Sequence, residues 1–257
     1  MPNYPGALTP ETPEFDALEL ANFTAKIVCQ EDSLKYTGFY CTAVYGGIST
    51  GYVVGCNLRC IFCWADPSRD NPLAHGQFFS PREAFQQLAD NARRSHVQRL
   101  RLSGGEPTLC RSHLMDLLSL VEQSPYHFIL ETNGLLLGQD ETYVKELAKF
   151  KKLYVRVSFK AGTADGFALR AGAWEEYYEL PFRAVDHLKK YGICFGVAAM
   201  CDPKIMPREE KAALLGRLKE TAGRIHLEQE ICKSYQHALE RLRLAGCLDV
   251  AEQLASA

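Results

Sequence analysis

Six short runs of β-forming residues, Tyr52 to Gly55, Gln98 to Ser103, His127 to Thr132, Leu153 to Phe159, Cys194 to Ala199 and Arg224 to Glu230, alternate with amphipathic helical stretches. Such alternation is the signature of repeated βα units and a parallel sheet. Six units are too few to close the usual eight-stranded barrel, so the pattern predicts an α/β fold with a partial, laterally open (β/α)6 barrel. At 257 residues and 47% apolar content, the chain suits one such domain. Residues 1–45, rich in Pro, Thr and acidic side chains, read as an irregular amino-terminal extension packed across it. Residues 46–257 are then the barrel with a carboxyl-terminal helix.

The intervening helices have explicit boundary chemistry. Ser80-Pro81-Arg82-Glu83 combines an N-cap, a first-turn proline and a capping-box glutamate, and Phe85, Leu88 and Ala92 then share one face. Pro181 starts a further helix through Phe182, Val185 and Leu188 that Gly192 is placed to stop. Pro207 opens another, with Glu209 and Glu210 near the positive end of its dipole.

Chemistry concentrates where strands end. Gly55-Cys56-Asn57-Leu58-Arg59-Cys60-Ile61-Phe62-Cys63-Trp64 sets Cys56, Cys60 and Cys63 at Cys-x3-Cys-x2-Cys spacing. Three thiolates can hold three irons of a cubane and leave the fourth iron without a protein ligand. The alternative is a tetrahedral zinc, which needs a fourth ligand such as His75, or an electron-transfer cluster. The other seven cysteines are scattered, which fits a reducing compartment better than a disulfide framework. After the second strand comes Gly104-Gly105-Glu106-Pro107-Thr108-Leu109, whose glycines allow close backbone approach and whose carboxylate and carbonyls can accept from an ammonium group.

Together these two motifs resemble the radical S-adenosylmethionine (radical SAM) superfamily. The resemblance implies a [4Fe-4S] cluster on Cys56, Cys60 and Cys63, and S-adenosylmethionine (SAM) as the second cofactor. Phe62 would lie against the adenine with the peptide groups around Trp64, and Gly104, Gly105 and Glu106 would bind the methionine amino group. Glu131-Thr132-Asn133-Gly134 and Val157-Ser158-Phe159-Lys160 resemble the Asp-Thr-Asn-Gly and Asp-Leu-Lys segments of glycyl radical activating enzymes. That likeness adds Glu131, Asn133, Ser158 and Lys160 to the SAM site. The implied reaction is reductive cleavage of SAM to a 5′-deoxyadenosyl radical that abstracts hydrogen. Its electron donor would be a flavodoxin or ferredoxin, and its substrate a glycyl radical enzyme. A peptide, a tRNA base or a small metabolite is the alternative substrate, and an iron–sulfur electron carrier the non-enzymatic reading.

Strand parity adds evidence independent of the motifs. Along Leu153 to Lys160 one face is apolar and the other carries Tyr154, Arg156, Ser158 and Lys160. Barrels filled only by side chains use branched apolar residues inside, so this polar face implies a ligand-filled cavity. The same alternation puts Arg101 and Ser103, His127 and Glu131, and His226, Glu228 and Glu230 on inner faces. Cys110 and Cys201, just after strand ends, are either hydrogen-atom donors or small core residues.

With 29 basic and 31 acidic residues interspersed, the net charge of −2 leaves no basic patch for nucleic acid or a membrane surface. The sequence has no signal-like start and no apolar run long enough to span a bilayer, which predicts a cytoplasmic protein.

Overall fold

The structure, a computed structural model, describes residues 4–223 and 226–256. Nine strands form one sheet: β1 (Cys29–Gln30), β2 (Ser33–Thr42), β3 (Ile48–Val53), β4 (Gln77–Phe79), β5 (Arg99–Gly104), β6 (His127–Thr132), β7 (Leu153–Phe159), β8 (Cys194–Met200) and β9 (Leu227–Glu230). Their order is β1-β2-β3-β5-β6-β7-β8-β9, with β4 beside β2. The six strands β3, β5, β6, β7, β8 and β9 pair in parallel. These are the six expected units. No ladder joins β9 to β1 or β4 among the described residues, so the barrel is open on that side. The first strand runs earlier than its apolar run suggested, because β2 pairs along it from Ile48 to Val53. Arg224, at the start of the expected last strand, lies outside the described residues.

Among the described residues ten α-helices accompany the strands: α1 (Ala17–Val28), α2 (Pro81–Arg94), α3 (Arg111–Glu122), α4 (Leu135–Gln139), α5 (Glu141–Leu147), α6 (Ala164–Ala171), α7 (Leu180–Lys190), α8 (Arg208–Ala222), α9 (Gln236–Leu244) and α10 (Leu248–Ala255). The Ser80–Glu83 capping box opens α2, and Gly192, at φ 64°, follows α7.

The amino-terminal segment is not irregular, which corrects the expectation from its composition. Asp16 caps α1 by accepting from Leu18 N at 2.8 Å and Glu19 N at 2.9 Å, and Ala17, Leu20, Ala21, Thr24 and Val28 bury one face. The ten-residue β2 then pairs antiparallel with β3. Between these strands Tyr45, at φ 53°, reaches into the barrel from the end where β3 begins.

Helix α6 connects the frame to the site. Arg170, in its last turn, forms a buried pair with Glu210 of α8, whose carboxylate also accepts from Gly162 N at 2.7 Å. Glu210 is therefore buried rather than a solvated first-turn carboxylate. Removing one partner strands the other charge in the interior. Glu210→Ala is expected to lower stability by about 3–5 kcal/mol, read as the shift of the urea unfolding curve. Glu209→Ala, at an exposed position, should change it by less than about 0.5 kcal/mol.

Candidate active site

The loop after β3 carries the three cysteines, with Cys60 buried and Cys56 and Cys63 half-buried. Its backbone is tied to the end of α6, where Arg59 N donates to Ala171 O at 2.9 Å and Ile61 N to Arg170 O at 3.0 Å. Cys63 N closes on Cys60 O at 3.1 Å, and Leu58 N lies 3.4 Å from Cys56 Sγ. Burial, with Glu106 and Cys60 nearby, pushes the Cys56 thiol up to about 12. Burial also raises Cys60, opposed by the Lys160 ammonium. Thiols raised in this way, as at Cys56 and Cys60, hold protons until cationic irons replace them. Among the described residues no three His, Cys, Asp or Glu side chains converge enough to share one metal ion. His75, the candidate fourth ligand of a zinc site, lines a cavity of about 440 Å³ beside β2 and β4. A buried amide donor next to Cys56, Asn57 Nδ2, has no hydrogen-bond partner among the described residues. A sulfide or carboxylate acceptor would satisfy it, so the donor set fits a thiolate-held cluster with SAM beside it.

The Gly104–Glu106 turn is zipped onto this loop. Gly105 N donates to Val53 O at 2.9 Å, and Glu106 N to Gly55 O at 2.8 Å. Gly104 takes φ 96°. The Glu106 carboxylate faces into the protein, accepting from Thr108 N at 3.1 Å, Thr108 Oγ1 at 2.6 Å, Thr132 Oγ1 at 2.8 Å and Asn133 N at 2.8 Å. A buried carboxylate requires such donors, and burial still raises its pKa. Glu106 thus fastens the second motif to the Thr132-Asn133 segment. Asn133 completes the connection, donating from Nδ2 to Asn57 Oδ1 at 2.8 Å, with Cys56 Sγ at 3.9 Å.

Glu131, two residues away, faces elsewhere. It accepts from Tyr45 Oη at 2.8 Å, Ser103 Oγ at 2.6 Å and Arg101 Nη1 at 3.1 Å. Burial pushes its carboxyl up, but Arg101 and Arg156, with the Ser103 and Tyr45 hydroxyls, hold it below the ordinary range. Arg156 in turn donates to Glu228 and Glu230, each at 2.8 Å. Ser158 reaches Glu230 at 3.4 Å, and Lys160 Nζ donates to Ser158 Oγ at 2.8 Å. The inner face is therefore lined by acidic, basic and hydroxyl side chains running toward Lys160. His127 and His226, assigned to the same face by parity, are exposed at strand ends.

Phe62 is buried in the core, whereas Trp64 is 45% exposed and meets Tyr52 edge to face at 6.0 Å. Tyr52 stacks on Tyr40 at 4.2 Å, so three aromatic rings line the rim. Cys110 points toward Ser33 O at 3.9 Å, and Cys201 is buried after β8. Sequence reasoning missed Tyr45 and the arginines around the cysteine loop, Arg59, Arg69 and Arg241. Their only signal is charge at positions whose neighbours are distant in sequence.

A family profile described as the radical SAM superfamily matches residues 52–215. Among curated proteins, the chain is 29% identical over 171 residues to 7-carboxy-7-deazaguanine synthase of Methanothermobacter thermautotrophicus, covering 65% of this chain and 64% of that protein. It is 39% identical over 85 residues to GTP 3′,8-cyclase of Syntrophomonas wolfei, covering 32% of this chain and 25% of that enzyme. The chain thus spans less than two thirds of the length of these relatives. Two solved structures share the fold. SuiB of Streptococcus suis bound to precursor peptide SuiA has a TM-score of 0.56 and 18% identity, covering 79% of this chain and 44% of that one. anSMEcpe with bound AdoMet has a TM-score of 0.53 and 22% identity, covering 70% and 50%.

Proposed function

The chain belongs to the radical SAM superfamily, and from that we propose that it modifies a small polar metabolite held inside its open barrel. The superfamily uses a [4Fe-4S] cluster and SAM, which together supply one-electron cleavage of the sulfonium for hydrogen abstraction. Cys56, Cys60 and Cys63 would hold the cluster. Gly104 and Gly105, with Asn133 behind them, would position SAM against it. Lys160, whose one described hydrogen bond is to Ser158, stands between that site and the substrate side.

The observation that carries the substrate class is the inner-face network. Arg101 and Arg156 are buried against Glu131, Glu228 and Glu230 and fixed before any ligand arrives. Preset charges of both signs suit a compact molecule bearing donors and acceptors on its edge. The aromatic rim of Tyr40, Tyr52 and Trp64 offers flat apolar contact above them. Tyr45 reaches Glu131 from the opposite end. A second reading, activation of a glycyl radical enzyme, is favoured by the likeness of Thr132-Asn133-Gly134 and Phe159-Lys160 to the activating enzymes. A flavodoxin or ferredoxin would serve as reductant in either case. The ten free cysteines accord with a cytoplasmic location, and no helix among the described residues is long and apolar enough to cross a membrane.

The test is 5′-deoxyadenosine production by the reconstituted protein under dithionite, with the diffusible or the macromolecular fraction of a cell extract added. Stimulation by the diffusible fraction supports the proposal; stimulation confined to the macromolecular fraction overturns it. With the diffusible fraction as substrate, Arg156→Met should raise the apparent KM about tenfold, a loss of about 1.4 kcal/mol. Cleavage of SAM in the absence of substrate should stay within twofold, roughly experimental scatter on that scale.

A further inference from the structure

Around the cysteine loop, three arginines gather on one carboxylate. Arg59, Arg69 and Arg241 are 0%, 1% and 4% exposed. Arg69 donates to Asp70 Oδ1 through Nε at 2.8 Å and Nη2 at 2.6 Å, and Arg241 to Asp70 Oδ2 at 3.0 and 2.6 Å. Arg59 Nε lies 3.9 Å from Asp70. Their remaining N–H groups turn to the loop. Arg59 Nη1 donates to Cys56 O at 2.8 Å, Arg69 Nη1 to Cys60 O at 2.7 Å, and Arg241 Nη1 to Cys63 O at 2.7 Å. Each cysteine carbonyl is thus held by a different buried guanidinium. Arg241 comes from α9, beyond the matched segment that ends at residue 215.

The charge does not balance within the clamp, because one carboxylate faces three cations. Uncompensated buried charge is costly, and Arg59 Nη2, whose guanidinium lies 4.8 Å from the Tyr4 ring centroid, has no hydrogen-bond partner among the described residues. The compensation available on the loop side is therefore an anion seated on the cysteines.

We propose that Arg59, Arg69 and Arg241, gathered on Asp70, are positioning residues that shape the cysteine loop and supply the fixed positive charge favouring the reduced state of its cluster. The proposal rests on the radical SAM reading for the identity of that cluster. Each electron added makes a thiolate-held cluster more negative, so nearby fixed cations raise its reduction potential.

The experiment uses the full chain, reconstituted anaerobically with iron and sulfide, without SAM. Its readouts are the midpoint potential by EPR-monitored titration and the rate of iron loss to a chelator. Arg241→Gln is expected to lower the potential by about 59 mV, a tenfold change in a one-electron equilibrium. Asp70→Asn, which removes the balancing anion, is expected to raise it. Arg241→Lys keeps the charge but cannot span the same carbonyls, so it should keep the potential and release iron several-fold faster. A variant with wild-type circular dichroism that takes up no cluster also supports the clamp. Potentials that shift in the same direction in Arg241→Gln and Asp70→Asn, or an Arg241→Gln protein identical to wild type in both readouts, would overturn the proposal while leaving the family reading intact. A wild-type chain that accepts no cluster overturns both.

Discussion

Replacing Cys60 with alanine is expected to leave a folded protein that assembles no [4Fe-4S] cluster and yields no 5′-deoxyadenosine. The separation between folding and loading follows from how the loop is built. At this position the backbone is fixed by groups other than the thiol, with Arg69 on the Cys60 carbonyl at 2.7 Å and Cys63 N on the same oxygen at 3.1 Å. Loss of one sulfur therefore removes a ligand and little else. Two thiolates cannot reproduce the three-iron attachment that leaves one iron open. Cys247→Ala is the matched control, since Cys247 caps α10 and its Sγ lies 4.0 Å from Ala245 O. Iron and sulfide content, visible absorption and product chromatography give the answer. A full cubane in Cys60→Ala would remove that residue from the ligand set.

Gly105→Ala should be almost as damaging for a different reason. A Cβ built there would stand 2.0 Å from Gly55 O and 2.9 Å from Val53 O, both backbone atoms that cannot rotate aside. The turn must back away, breaking the Gly105 N–Val53 O and Glu106 N–Gly55 O bonds. Each lost bond costs about 0.5–1.5 kcal/mol, and forced overpacking typically about 1–3 kcal/mol. The larger effect is on function, because that separation carries the turn proposed to bind SAM away from the cysteine loop. A displacement on the order of 1 Å can reduce rate about a hundredfold. SAM binding measured by equilibrium dialysis, alongside product formation, should show both losses with the cluster still largely present. Unchanged affinity for SAM would show that the zipper is not what aligns the two motifs.

The parallel strands were legible because each is a local apolar run bounded by turn residues, and the parity of Leu153 to Lys160 put Arg156 and Ser158 inside, where they meet Glu228 and Glu230. The amino-terminal α1 and β2 were not legible. In β2, Tyr36, Phe39 and Tyr40 break strict alternation, and its pairing with β3 is set by tertiary contact. Glu106 read as a ligand-facing carboxylate because its four donors are partly contributed by Thr132 and Asn133, more than twenty residues on. Likewise the polar pattern revealed Glu131 as inward, but its union with Tyr45 depends on a loop in a left-handed conformation that no local propensity favours.

The cysteine loop draws contacts from both ends of the chain. Pro5 O accepts from Arg59 Nε at 2.6 Å, and Arg241 reaches Cys63 across 178 residues of sequence. During synthesis, therefore, the cysteines leave the ribosome well before the helix that completes their support. The loop therefore acquires its full set of carbonyl contacts only once α9 has been made and has docked.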